Sequence, residues 1–263
     1  MIELFIQALG IAAPGLADWP QARAVLAGHT AWANAELPPY QPALLPPNER
    51  RRVTPSVKQA FRAAEDAVSR YTGAVDQLAA VFASSDGDLG IIHRISLALT
   101  ETARAVSPTD FHNSVHNAAA GYWSIATGSR LPSTTISAYD DSFAAGLLEA
   151  ALLATASGHD TLLVAYDVPG PPLLQAARPF IGAASVAVIL SPSSGPQTLA
   201  RLRLSLGVGA VSTMPDLALD ALRLGNPALR ALPLLRALAL GDPAAIGFAL
   251  PSSQGLRVEI APP

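Results

Sequence analysis

The stretch SPTDFHNSVHNAAAGYWSIATGSRLPSTTISAYDDSFAAGLLEAALLATASG, residues 107–158, predicts a helix, a buried strand, a tight corner and a second helix. Ser107 is a good N-cap with Pro108 at the first helical position, and Gly128 suits the end of that helix. Residues 132–138, PSTTISA, are short and β-branched, which indicates a strand. This strand and the helix after it meet at a tight corner, residues 139–142, which is the first candidate for a functional site.

The corner carries Asp140, Asp141 and Ser142, and each of them is a suitable cap for the helix that ends at Gly158. α/β enzymes often place a nucleophile or bind an anion where a strand delivers its last residues to a helix N-terminus. The two carboxylates are either paired acid/base groups or simple caps. Capping is the preferred interpretation, because adjacent acidic residues at a helix start usually cap it.

Three segments resemble the N-terminal half of β-ketoacyl synthases: SPTDFHNSVHNAAAGYWSI, PSTTISA and the F-x-x-G-L-L-E-A helix. They look most like the short ketosynthase-like subunits called chain-length factors. The resemblance implies a thiolase-like layered α/β fold over residues 1–195. Residues 196–263 are expected to be an abbreviated C-terminal half that packs on this domain.

Condensing ketosynthases read roughly T-A-C-S-S at this corner, and their Cys is the acyl-accepting nucleophile. The resemblance places Asp140 at the Cys position, or Tyr139 or Asp141 if the alignment slips by one residue. The chain contains no cysteine in any alignment. A carboxylate at a helix N-terminus should stay ionised and attack a thioester poorly. The resemblance therefore implies a chain with no catalytic residue for condensation.

The family also uses two histidines from its second half to bind the malonyl thioester and assist decarboxylation. The five histidines of this sequence are His29, His93, His112, His116 and His159, and none follows position 159. Condensation by this chain alone is therefore not expected.

Composition sets further bounds. Half of the residues are apolar and 14% are charged, which is consistent with a large buried interface. A net charge of −3 argues against nucleic-acid binding. The absence of Cys excludes disulfides and thiolate ligands, and no apolar run approaches the ~20 residues of a membrane helix. We expect a cytoplasmic protein without metal or cofactor.

The SPTDFHNSVHN segment lies near the dimer interface of the family, so the resemblance implies interface roles for Ser107, Pro108, Phe111, His112, Ser114, His116 and Asn117. His112 and His116 also have the i, i+4 spacing of a metal pair on the predicted helix. No third ligand is evident, so the interface interpretation is preferred. Asn113 and Asn117 are expected to satisfy backbone groups.

Strands that alternate with helices predict an α/β layer with mostly parallel pairing. Further strands are predicted at residues 4–12, 78–84, 161–166, 184–191, 199–207, 245–250 and 256–260, and further helices at 21–27, 54–71, 89–104, 214–224 and 227–240.

Three functions fit the sequence. The first is a chain-length factor of an aryl-polyene-type system, which pairs with an active β-ketoacyl synthase, closes its acyl tunnel, and meets acyl carrier protein through that complex. The residues expected to close the tunnel are Phe111, Tyr122, Trp123, Tyr139 and Phe143. The second is an independent thiolase-type enzyme that uses Asp140, Ser137 or a histidine. The third is a stand-alone acyl-binding or scaffolding protein.

The basic run 50–52 is either solvated surface or a contact for acyl carrier protein.

Overall fold

The chain forms one eight-stranded sheet with helices on both faces, in a computed structural model that describes residues 1–251 and 254–263. The strand order is β3-β2-β4-β5-β1-β6-β8-β7. The strands are β1 (Ile2–Ala12), β2 (Ala79–Ala83), β3 (Ser133–Ile136), β4 (Thr161–Asp167), β5 (Ala184–Ser191), β6 (Ala200–Gly207), β7 (Ala244–Ala249) and β8 (Gly255–Ala261).

The α-helices are α1 (Trp19–Leu26), α2 (Pro47–Arg50), α3 (Pro55–Val68), α4 (Leu89–Thr100), α5 (Pro108–Asn113), α6 (Ala118–Thr127), α7 (Ser142–Ser157), α8 (Pro172–Gln175), α9 (Leu217–Leu224) and α10 (Leu232–Leu240). Short 3₁₀ turns cover Val75–Gln77, Tyr139–Asp141 and Pro227–Ala231. The predicted caps Ser107, Gly128 and Gly158 are confirmed, and both glycines have the left-handed backbone that favours glycine. Thr54 caps α3 through its side chain.

The prediction of mostly parallel pairing is wrong. Only β3, β2 and β4 run parallel, and the pairings from β4 through β5, β1, β6 and β8 to β7 are all antiparallel. A parallel neighbour requires a crossover of a dozen or more residues, usually through a helix. The connection from β4 to β5, residues 168–183, is long enough but carries only the single turn α8 and no helix that could cross the sheet, and β5 returns in the opposite direction beside β4.

The prediction of one continuous helix after Ser107 is also wrong, because the segment forms two helices, α5 and α6. The first stops at Asn113 and the second starts at Ala118, with a turn between them. The Ser114 hydroxyl donates to the Phe111 carbonyl oxygen at 2.8 Å. Side chains of Ser and Asn compete in this way for backbone groups and therefore interrupt helices. The β3 strand is confirmed, but it lies at the sheet edge and is partly exposed, where a buried strand was expected.

Each face of the sheet supports its own core. On one face α3 and α6 cover an aromatic cluster, in which the Trp123 ring lies 5.6 Å from that of Phe61 and 6.5 Å from that of Phe82. On the other face α1, α7 and the C-terminal helices enclose a larger aliphatic core, where Phe143 meets Phe248 at 5.6 Å. The C-terminal strands continue the same sheet, because β6 pairs directly with β1. A boundary at residue 195 remains a prediction.

Strand β1 lies at the centre of this sheet and touches α3 very closely. A Cβ placed on Gly10 would lie 2.1 Å from the Ala63 carbonyl oxygen and 2.6 Å from the Ala67 nitrogen. Backbone atoms cannot yield as a flexible side chain does, so only glycine fits there.

We therefore expect Gly10→Ala to lower the free energy of unfolding by about 3 kcal/mol, because the added methyl group separates α3 from β1. Gly121→Ala is the matched control. Its Cβ meets nothing within 4 Å, and alanine favours the helical backbone of α6. Urea unfolding of both variants measures the difference, and equal stabilities would contradict the close packing of α3 on β1.

Candidate functional site

The corner between β3 and α7 contains a residue with a strained backbone. After Ile136 the chain turns through Tyr139–Asp141, and Tyr139 has a φ of +53°, in the left-handed region that β-carbon-bearing residues rarely adopt. Its side chain is exposed. Asp140 follows directly, between this strained residue and the start of α7.

Asp140 does not cap α7, so the capping interpretation is wrong. Its Oδ1 lies 2.7 Å from Nη1 of Arg178, and its Oδ2 lies 3.2 Å from Nη2 of Arg230. Asp141 occupies the N-cap position without a side-chain cap hydrogen bond. Ser142 instead bonds within the turn, where its hydroxyl accepts from the Ala138 amide and donates to the Tyr139 carbonyl. Arginine attracts the Asp140 carboxylate away from the helix end.

Arg178 is held from several sides. Its Nε bonds to Oδ2 of Asp86 at 3.2 Å, and its Nη2 donates to the Ser85 hydroxyl at 2.6 Å. The guanidinium carbon lies 3.7 Å from the centre of the Tyr139 ring and 5.1 Å from that of Phe180. Such stacking and paired hydrogen bonds suit the planar guanidinium. The strained tyrosine is therefore packed against a fixed cation.

Asp167, at the end of β4, organises the turn that presents Asp86. Its side chain is 1% exposed, and its Oδ1 accepts from the Ser84 hydroxyl at 2.9 Å and from the Ser85 amide at 2.8 Å. Burial raises the pKa of Asp167 to about 7, although these hydrogen bonds lower it. This carboxyl links β4 to the β2–α4 turn, and the same turn holds Arg178.

The remaining polar groups of the corner do not form a hydrolytic triad. The Ser137 hydroxyl donates to the Ser85 carbonyl at 2.8 Å, and Ser142 is engaged within the turn. Desolvation, followed by the charge of Asp140, raises the pKa of Asp141. A cavity of about 330 Å³ opens beside these carboxylates and is lined by Asp140, Asp141, Ala144, Arg223, Arg230 and Phe248, among others.

The predicted interface residues lie together on the surface around α5. Ser107, Pro108, Phe111, His112, His116 and Asn117 are exposed, and Ser114 is partly exposed. The prediction of a helical His112–His116 pair is wrong, because α5 ends at Asn113 and His116 lies in the following turn. Among the described residues, no cluster of three or more His, Cys, Asp or Glu is arranged to hold a metal ion. The Asn113 side chain does bond to a backbone group, since its Nδ2 donates to the Arg52 carbonyl at 3.0 Å.

The five predicted tunnel residues divide into two groups. Phe111 is 71% exposed and Tyr139 is 61% exposed, so both rings are accessible to another chain. Tyr122, Trp123 and Phe143 are buried in the two cores of this chain. Those three side chains are packed inside this chain, and their role in a partner's tunnel remains a prediction.

A groove runs along the open edge of β3. Its volume is about 480 Å³, and it is lined by His116, Asn117, Ala120, Gly121, Ser124, Ser133, Thr134 and Thr135. The carbonyls of Pro132 and Ile136 accept from β2, so alternation turns the backbone polar groups of Ser133 and Thr135 outward. Small residues on α6 leave space beside this edge. Two of the predicted interface residues thus line an unpaired strand.

The basic run 50–52 is partly used for folding. Arg50 donates to the Ala43 and Leu45 carbonyls at 3.0 and 2.8 Å, and Arg52 lies 3.6 Å from Glu49. No helix within residues 1–251 and 254–263 has the length and apolar content to cross a bilayer.

Sequence reasoning identified Asp140 but missed Arg178, Arg230 and Asp167. They lie 38, 90 and 27 positions downstream and carry no local motif. The sequence signal was the pair of adjacent carboxylates at the corner, since neighbouring like charges favour a cation close by.

The raised pKa of Asp167 predicts a pH dependence of stability. Because the folded pKa lies above the ordinary value of 3.8, this group's contribution is complete below about pH 4 and is lost as the pH rises through about 7. Thermal unfolding between pH 5 and 8 should show wild-type stability falling with pH. Asp167→Asn should flatten that dependence, whereas Asp76→Asn, at an exposed position, should retain it. An unchanged slope in Asp167→Asn would contradict the assignment.

Comparison with known proteins identifies the family. The model of the β-ketoacyl synthase N-terminal domain matches residues 18–218. No curated protein sequence matches the chain significantly. The fold is similar to a ketosynthase in complex with its chain length factor from Xenorhabdus doucetiae, with a TM-score of 0.73 and 23% identity over 98% of this chain and 100% of that one.

Two further solved structures are similar over the whole chain. The ishigamide ketosynthase/chain length factor has a TM-score of 0.73 at 14% identity, over 100% of this chain and 99% of that one. A type II polyketide acyl-carrier protein in complex with its ketosynthase has a TM-score of 0.75 at 12% identity, with the same coverage. The expected thiolase-like fold is confirmed. The chain belongs to the β-ketoacyl synthase N-terminal domain family.

Proposed function

We propose that this chain is a chain-length factor: a ketosynthase-like subunit without condensing activity that pairs with an active β-ketoacyl synthase and shapes its acyl tunnel. The observation that carries the proposal is the corner after β3. It retains an elbow-like backbone but presents Asp140, which is bonded to two arginines, where the family resemblance places a cysteine.

The chemistry of this corner argues against condensation. Acyl transfer needs a polarisable nucleophile that leaves again easily, and a thiolate meets both needs. Both Asp140 oxygens are directed to guanidinium groups, which lower the nucleophilicity of the carboxylate further. At this corner the residue in the strained backbone conformation is a tyrosine, whose ring stacks on Arg178. We infer that the residues of this corner stabilise the local fold and do not take part in condensation.

The open edge of β3 supports pairing with a second chain. Unpaired strand edges readily accept another strand, and proteins normally protect them. Here the edge borders a groove of small side chains, with Phe111 exposed on the neighbouring α5 surface. Two of the three similar complexes described above combine a ketosynthase with a chain length factor, and the third contains an acyl-carrier protein. These likenesses favour an active ketosynthase as partner and acyl carrier protein as a ligand of the complex.

The accessible aromatic residues fit a role in limiting chain length. Of the residues first assigned to the tunnel, Phe111 and Tyr139 are the ones that extend from the surface. A bulky ring that enters the partner's tunnel would stop an acyl chain at a fixed distance from the partner's active site. The resemblance to short chain-length factors favours an extended polyene of the aryl polyene type as the growing acyl chain. We expect this reaction to take place in the cytoplasm.

Co-expression with the ketosynthase encoded nearest to this chain tests the pairing, with only this chain tagged. We expect both chains to co-purify and acyl extension to stop when this chain is omitted. Gly121→Trp should abolish co-purification, because its side chain fills the groove beside β3. Gly209→Trp is the control, since a Cβ at either glycine meets nothing within 4 Å and position 209 lies outside that groove.

If this chain purifies alone and the ketosynthase elongates normally without it, the proposal fails. Acyl-thioester turnover by the isolated chain would then indicate an independent enzyme. A homodimer with bound lipid and no turnover would indicate an acyl-binding protein.

Product length tests the role of the exposed rings. In the reconstituted complex, Phe111→Ala should shift the polyene distribution to longer products, because removing the ring extends the space available. Tyr139→Asn should act in the same direction, and asparagine tolerates the left-handed backbone of that position. Leu217→Ala, at an equally accessible position on α9, should leave the distribution unchanged. Unaltered products from both aromatic variants, in an intact complex, would exclude them from the tunnel.

A further inference from the structure

Two arginines from separate parts of the chain meet on the single carboxylate of Asp140. Arg178 comes from the connection between β4 and β5, and Arg230 from the 3₁₀ turn Pro227–Ala231. Arg178 approaches Oδ1 at 2.7 Å and Arg230 approaches Oδ2 at 3.2 Å. Each carboxylate oxygen therefore has its own cation.

The Arg178 guanidinium is positioned by contacts other than Asp140, and Arg230 is anchored through its backbone. Arg178 is fixed by Asp86, Ser85 and two aromatic rings, and its side chain is only 17% exposed. Arg230 belongs to a turn in which Pro227, Ala228, Leu229 and Ala231 are all buried, so its backbone is anchored in the core. Removing the Asp140 side chain would consequently leave the fixed Arg178 cation, and Arg230 on its anchored turn, beside one vacated position.

This position is accessible to a small molecule. The cavity of about 330 Å³ beside Asp140 and Arg230 is large enough for an ion several times the size of water. Its wall combines charged groups with apolar surface from Ala144, Leu224 and Phe248. An anion with a short apolar tail would match both parts of the wall.

We propose that Arg178 and Arg230 form a carboxylate-binding site at the β3–α7 corner, and that Asp140 occupies this site as an intramolecular ligand and closes it to external carboxylates. The ligand class follows from the geometry. Arginine forks match the planar, two-oxygen carboxylate, and each oxygen here meets a different arginine. The site rests on contacts within this chain, so it can fail while the chain-length-factor role stands.

The consequence for the wild-type protein is a corner that does not bind a carboxylate-bearing acyl group. Any such group would have to displace Asp140, whose effective concentration at the site is high because it is tethered. The aspartate thus replaces a nucleophile and also blocks the adjacent anion site.

Chemical rescue of the isolated chain tests this site. Asp140→Ala should lower the melting temperature, and sodium acetate should raise it again by at least about 3 °C more than sodium chloride at equal ionic strength. Wild type should not distinguish the two salts. Asp141→Ala is the matched control, because it removes a neighbouring carboxylate that forms no ion pair with either arginine, and it should not respond to acetate.

Two more variants separate charge from space. Asp140→Asn fills the position without charge, so it should be less stable than wild type and insensitive to acetate. The double variant Asp140→Ala with Arg230→Met should lose the acetate response of Asp140→Ala. The proposal is overturned if acetate and chloride act equally on Asp140→Ala, if wild type responds as strongly, or if Asp140→Ala remains unfolded in acetate. In that last case external carboxylate has failed to replace the missing partner.

Discussion

The antiparallel pairing of β1 with both β5 and β6 is the constraint on which the other elements depend. It places the first strand of the chain at the centre of the sheet and joins the parallel β3-β2-β4 group to the C-terminal strands. Strand β1 is covered by α3 on one side and by the aliphatic core on the other, so its side chains contribute to the cores on both faces of the sheet. The C-terminal residues then supply Arg230 from the same side as the β3–α7 corner.

At that corner, charged side chains form one connected arrangement. Asp86, Arg178, Asp140 and Arg230 alternate in sign, so each buried or half-buried charge has an opposite neighbour. Breaking one member of such a chain leaves an uncompensated charge, which costs more than the pair contributes. Asp167 extends the arrangement into the core through the β2–α4 turn. Loops from four separate parts of the chain are therefore fixed relative to one another.

Local patterns predicted the elements well, and long-range contacts account for the errors. Caps and β-branched runs located α7, β4 and β5, because these signals act within a few residues. Pairing direction depends on what a connection can span, so the antiparallel return of β5 was missed. The burial of Trp123 and the partners of Asp140 depend on residues far away in sequence. The contacts of Asp140 were therefore predicted wrongly, because its partners Arg178 and Arg230 carry no local signal.

Tyr139 carries the backbone strain of the β3–α7 corner. A left-handed tyrosine costs on the order of 1–3 kcal/mol and requires surroundings that hold it in place. Arg178 does so by stacking on the ring, while its hydrogen bonds tie that ring to Asp86 and Asp140. The contacts that offset this strain also fix an exposed ring. The backbone conformation of Tyr139 and the position of its ring on the surface therefore depend on the same arginine.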